Sequence, residues 1–146
     1  MRKLLTILTM AALLAGPATA QEWGDLDTLL RRSLSPTGSM EGSIWLPDGA
    51  TPQQSARALG VAYVHVVGSA GSVSLHSAVF TKSGNRWVMA LPVRGLFGIE
   101  PRNPIWFGDR MEVTTTVLQP GEPRCCPTGT GVWSIDLRTG QAARLR

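Results

Sequence analysis

VAYVHVV, residues 61–67, is the stretch whose reading decides the fold. Val61, Tyr63, His65 and Val67 alternate with Ala62, Val64 and Val66. A period of two with apolar residues on both faces describes a strand buried on both sides. Downstream, residues 73–82 and 86–93 flank Ser83-Gly84-Asn85, a short glycine-containing hairpin loop. Trp87, Met89 and Leu91 are expected on one face of the second of these strands. Residues 111–118 alternate again, with Val113 and Val117 on one face and Glu112, Thr114 and Thr116 on the other. Residues 132–137 and 141–145 close the chain as a hairpin around Arg138-Thr139-Gly140. Two segments read as loops: 95–109, with Phe97, Ile99 and Trp106 as apolar plugs, and 120–131, which holds both cysteines.

Upstream of residue 61 the period is helical. Leu26, Leu29, Leu30 and Leu34 share one helical face, Asp25 or Asp27 is placed to cap it, and Pro36 and Gly38 stop it. Ile44-Trp45-Leu46 is strand-like and runs into a turn at Pro47-Asp48-Gly49. Thr51-Pro52-Gln53-Gln54 has the form of a second helix start, with Gly60 at its expected end. Hairpins without an intervening helix after Gly60 predict an antiparallel sheet. The expected architecture is α+β: about five to six antiparallel strands with two short N-terminal helices on one face or edge.

Residues 1–20 have the order of a cleavable secretory signal peptide. Arg2 and Lys3 are basic, residues 4–14 are apolar except Thr6 and Thr9, and Gly16-Pro17 breaks any helix. Ala18 and Ala20 supply the small residues for cleavage before Gln21. The apolar run is shorter than the ~20 residues a bilayer requires. No cysteine follows the cleavage point to carry a lipid. The expected product is a single domain, residues 21–146, in the periplasm or outside the cell, with no membrane anchor after cleavage.

Composition narrows the partners. Of 146 residues, 43% are hydrophobic and 16% charged, with 16 glycines and 10 prolines: a globular, turn-rich chain. Part of the formal charge of +4 belongs to Arg2 and Lys3, and the remaining basic residues form no stripe. No nucleic-acid partner is expected from so even a charge distribution. The five tryptophans, at 23, 45, 87, 106 and 133, are spread as core and loop anchors are.

Chemistry concentrates in one place, the adjacent Cys125 and Cys126. A bridge between neighbours closes essentially no loop in the unfolded chain, so it cannot act as an ordinary staple. Cα atoms across a trans peptide lie about 3.8 Å apart, whereas bridged Cα atoms lie at about 4.4–6.8 Å. Three states are open: a strained vicinal disulfide, two thiols, or cross-links to another chain. The strained ring would be a rigid loop element or an easily reduced switch, and two thiols could instead hold a soft ion such as Cu(I), with His76 as a weak additional ligand. Pro127 already restricts Cys126 to extended backbone.

Gly108-Asp109-Arg110, the strand after it, Pro120-Gly121-Glu122-Pro123-Arg124-Cys125-Cys126-Pro127-Thr128 and the following Trp133 strand together resemble the LppP/LprE-like family of exported bacterial proteins. The family signature is Cys-Cys-Pro-Ser/Thr after a Gly-Asp-Pro-type turn, and the resemblance covers the C-terminal third. It implies a bacterial, exported protein and says nothing of an activity. Lipoprotein members carry an acylated cysteine that has no counterpart here, and Glu122 stands where Asp is usual.

The remaining chemistry is sparse. His65 lies among apolar residues, as a core or interface histidine does, and His76 sits between Leu75 and Ser77 at an expected surface position. A Cys125–His76 dyad has no local signature, and the acidic residues form no readable acid/base pair. No catalytic residue and no cofactor is assigned. The reading is a non-enzymatic binding or structural module with a protein or small-molecule partner. Its rival is a thiol redox or Cu(I)-binding protein.

Overall fold

The computed structural model describes residues 23–146; the segment expected to be a signal peptide, with Ala18, Ala20 and Gln21, lies outside the described residues. The leucine stripe forms α1 (Leu26–Leu34), capped by Asp25, whose carboxylate accepts from Thr28 N at 3.0 Å. Eight strands follow: β1 (Met40–Pro47), β2 (Arg57–His65), β3 (Val73–Ser83), β4 (Arg86–Val93), β5 (Ile99–Trp106), β6 (Arg110–Val117), β7 (Gly129–Asp136) and β8 (Ala142–Arg144). They form two antiparallel sheets, each a meander in chain order, β1–β4 and β5–β8. The protein is mostly β, and the expectation of one five- to six-stranded sheet with two helices is overturned.

The two sheets pack face to face. Leu59 and Val61 of β2, Val79 of β3 and Val93 of β4 meet Met111, Val113 and Val117 of β6 and Trp133 and Ile135 of β7. On the other face of the first sheet, Leu30 and Leu34 of α1 cover Ala62, Val64, Ala78 and Phe80. β2 is therefore buried on both sides through Val64, but it begins at Arg57, and Val66 and Val67, expected within the buried strand, lie past its end, 41% and 91% exposed. At one lateral edge the sandwich closes by a short parallel contact: Arg94 N donates to Gly140 O at 2.9 Å and Ala142 N to Arg94 O at 2.8 Å.

The second helix does not form. Its start signal is real but lasts one turn: Gln54 N reaches Thr51 Oγ1 at 3.3 Å and Ser55 N reaches Pro52 O at 3.4 Å. Asp48 then takes the N–H groups of Ala56 and Arg57 at 2.9 and 3.1 Å, and the chain enters β2. Gly60 is no helix stop. It lies mid-strand, where an added Cβ would come within 2.5 Å of Leu30 Cδ2 and 2.6 Å of Phe80 Cε2. Its missing side chain is what allows α1 to settle on the sheet.

Two other expectations change. Leu91 leaves the face of Trp87 and Met89, because the ladder slips between Val79↔Leu91 and Phe80↔Met89. The extra residue turns Leu91 to the inter-sheet core while Trp87 stays on the helix side. The 95–109 loop is largely strand β5, an edge strand with two register shifts against β6. Pro101 and Pro104 can donate nothing to a ladder, which confines this segment to an edge and disguises it in sequence. Glu100 and Asn103 take left-handed backbone, φ 52° each, at these irregularities. The plugs are also reassigned: Leu96 is buried, Phe97 is 64% exposed and Ile99 39% exposed, and Trp106 packs against the core.

The tryptophans anchor the structure. Trp45 meets Trp87 edge-on at 5.1 Å and Phe80 at 5.3 Å, and Trp23 stacks on Trp87 at 6.2 Å. The Arg57 guanidinium lies 5.0 Å over the Trp106 ring and donates to the carbonyls of Phe107 and Gly108, tying the first sheet to the β5–β6 turn.

Candidate functional site

The chain crosses from one sheet to the other at residues 94–98, where Gly95 (φ 84°) and Gly98 (φ 107°) supply left-handed backbone. At Gly98 a side chain would also strike Thr115 Oγ1 at 2.5 Å, so the crossover runs tight against β6. Thr115 fixes it. Its buried hydroxyl donates to Phe97 O at 2.8 Å and accepts from the Trp133 indole N–H at 2.8 Å. Gly131 leaves room for that indole, 3.1 Å from where its Cβ would stand.

This crossover floors a cleft of about 660 Å³ at one end of the sandwich. One wall is Tyr63 of β2 with Val73, Ser74 and Leu75 of β3; the other is Thr116, Val117 and Leu118 at the end of β6. Leu96, Phe97 and Gly98 of the crossover and Ile99 at the start of β5 also line it, and Arg124 and Pro127 come from the cysteine loop. Several of its apolar lining residues are exposed, with Phe97 64%, Val73 40% and Leu118 40%. The Tyr63 hydroxyl accepts from Glu100 N at 2.9 Å, and burial raises its pKa above 10.0.

Glu122 shapes the cysteine loop. One carboxylate oxygen accepts from Gln119 N at 2.9 Å and Thr128 N at 3.0 Å, and the other from the Thr128 hydroxyl. These bonds, led by that from Gln119, lower the Glu122 pKa below 4.5 and clamp the two ends of the loop together. Within it Cys126 N donates to Pro123 O at 3.1 Å. Cys125 and Cys126 are unbridged, exposed thiols. Their mutual hydrogen bond, with a smaller contribution from desolvation, holds Cys126 above its ordinary pKa of 9.0. They stand between Arg124 and Pro127, the two loop residues that line the cleft.

The histidines are engaged elsewhere. His76 Nδ1 is 2.9 Å from Leu34 O, at the C-terminal end of α1, and Nε2 is 3.0 Å from Ser74 Oγ. It is exposed, as expected, and acts as a helix cap. His65 pairs with Glu41 at 3.0 Å and is half-buried, not a core residue. Among the described residues no three His, Cys, Asp or Glu side chains gather to hold a metal ion. No helix among them is long and apolar enough to cross a membrane.

Sequence reasoning singled out the cysteine loop, while it read Phe97 and Ile99 as plugs of the 95–109 loop. It missed Tyr63, Leu75, Leu96, Thr116, Leu118 and Arg124 as lining residues, because they come from segments far apart in the chain. The one available signal was Arg124, sitting beside the cysteines. The chain matches no family model, no curated protein and no solved structure among those compared.

Proposed function

We propose that this chain is a small exported β-sandwich that works as a binding module, with its ligand seated in the end cleft. The observation that carries the reading is the cleft itself: about 660 Å³, walled by both sheets and by the cysteine loop, and mostly apolar. Single-ligand sites commonly have about 300–1,000 Å³ and a few polar groups on apolar walls. Export is supported by the leader-like order of residues 1–20 and by the Cys-Cys-Pro resemblance, which also suggests a bacterial periplasm or exterior. N-terminal sequencing of native material should begin at Gln21; a sequence beginning at Met1 removes the export proposal.

A neutral apolar dye such as Nile red tests the site. It should bind at one equivalent with a blue-shifted emission. Phe97→Glu and Leu118→Glu, both at exposed positions of the cleft, should each weaken it at least fivefold. Val88→Glu, at a similarly exposed position on β4 that does not line the cleft, should leave it unchanged. Equal losses in all three variants, or no dye binding, would sink the reading.

The exposure of both thiols favours a second reading, a dithiol that exchanges with disulfides or holds Cu(I) between two sulfurs. The raised Cys126 pKa works against it, since the thiolate is the reactive and ligating form. One equivalent of Cu(I) bound by the native protein and lost in Cys125→Ser would favour this alternative.

A further inference from the structure

We infer that the cleft takes a single-chain amphiphile with an anionic head, its aliphatic chain lying between the sheets and its head meeting Arg124. The inference rests on the binding-module reading and names the class of ligand. Its basis is the way the polar groups of the cleft are committed. Thr116 Oγ1 accepts from Arg102 at 2.9 Å and lies 3.3 Å from Glu100 Oε2. Ser74 Oγ is bonded to Val64 O and to His76. The Tyr63 oxygen accepts from Glu100 N, which leaves the phenol a neutral O–H donor without charge.

Arg124 differs from these. Among the described residues its exposed guanidinium makes no ion pair and no side-chain hydrogen bond. The carboxylate nearest in sequence, Glu122, is occupied with Gln119 and Thr128. The lining thus offers one uncommitted cation at the loop side of an apolar recess. Near Thr116 the Glu100 carboxylate and the Arg102 guanidinium share the one hydroxyl, so that part of the lining carries no uncompensated positive charge. A head group is therefore directed to Arg124, whose planar fork matches a carboxylate in two parallel bonds. The apolar walls Leu75, Leu96, Ile99 and Val117 remain for the chain. A membrane surface is the weaker occupant, because docking on anionic lipid uses a cluster of basic residues and the lining presents one.

Calorimetric titration of the purified protein with decanoate, 1-decanol and decyltrimethylammonium, each below its aggregation limit, tests this. Decanoate should bind about tenfold more tightly than decanol, the worth of a charged hydrogen bond at a partly open site. The ammonium compound should bind more weakly than either. Octanoate should bind about fifteenfold more weakly than decanoate, given the transfer energy of two methylenes. Arg124→Gln should abolish the preference for decanoate over decanol while leaving decanol binding intact.

Equal affinity for decanoate and decanol, or a preference that survives Arg124→Gln, would overturn the ligand class and leave the cleft reading standing. Binding to anionic phospholipid vesicles without binding to decanoate would overturn it as well. Failure of all three amphiphiles together with Nile red would remove the cleft reading itself.

Discussion

Gly60→Ala tests the packing of α1 on the first sheet, and its cost can be worked from the geometry. The new methyl would lie 2.5 Å from Leu30 Cδ2 and 2.6 Å from Phe80 Cε2. Carbon atoms in contact prefer about 3.5–4.0 Å, so each neighbour must retreat by about 1 Å. Neither can do so freely, since Leu30 is 1% and Phe80 0% exposed. Overpacking of this kind costs about 1–3 kcal/mol, and two confined neighbours place it at the upper end. Replacing a strand glycine by alanine returns about 0.5–1 kcal/mol of chain entropy. The net destabilisation expected is about 2 kcal/mol. With a urea m-value of about 1.5 kcal/mol/M, that lowers the unfolding midpoint by about 1.3 M without changing m. The decisive measurement is a double-mutant cycle. Leu30→Ala costs about 2–5 kcal/mol by itself, but it opens space for the methyl. In that background the penalty of Gly60→Ala should fall by at least half, a coupling of about 1 kcal/mol. A stabilising Gly60→Ala, or two additive substitutions, would refute the placement of α1 over this glycine.

Thr115→Val keeps the shape of the side chain but strands the Trp133 indole N–H and the Phe97 carbonyl, each bonded to the hydroxyl at 2.8 Å. It should cost about 2–4 kcal/mol by urea unfolding, while Thr115→Ser stays close to the parent. Glu122→Gln should loosen the cysteine loop, read as faster tryptic cleavage after Arg124 with little change in the global unfolding midpoint. Asp25, Glu122 and Asp136 all have lowered pKa values, each owed mainly to hydrogen bonds on the carboxylate. Their stabilisation is complete above the unfolded values of 3.8 to 4.5 and is lost as pH falls through the lowered folded ones. Thermal midpoints should therefore be level near neutrality and decline below pH 4.5, and a decline beginning on the alkaline side instead would contradict the assignment. Under reducing conditions Cys125 and Cys126 should both react with a thiol reagent in the folded protein, with the Cys126 rate still rising above pH 9.0.

The local chemistry of α1 was legible. A leucine stripe and Asp25 need only neighbours three and four residues away, and they form the helix the pattern describes. The alternation in residues 111–118 and the Ser83-Gly84-Asn85 hairpin are equally short-range, and β6, β3 and β4 follow them. Thr51-Pro52-Gln53-Gln54 shows the limit of such signals. The cap forms, yet Asp48 takes the next two N–H groups and the sheet claims the residues beyond. Local propensity is worth a few tenths of a kcal/mol per residue, and burial of β2 on both faces outweighs it. The sequence by itself also determined that Cys125 and Cys126 stand together in a loop next to Arg124 and Pro127.

Tertiary structure alone decided the rest. Hairpins in series fit one continuous sheet or two, and only the turn through Gly95 and Gly98 divides them. β5 was hidden because prolines and bulges erase its alternation, while an edge strand needs hydrogen bonds on only one side. The cleft exists because that division brings β2, β3, the end of β6 and the cysteine loop to one end of the sandwich. Contact between the two sheets, such as Arg57 with the Phe107 and Gly108 carbonyls, is settled by side chains that meet only after folding, and no local pattern encodes it.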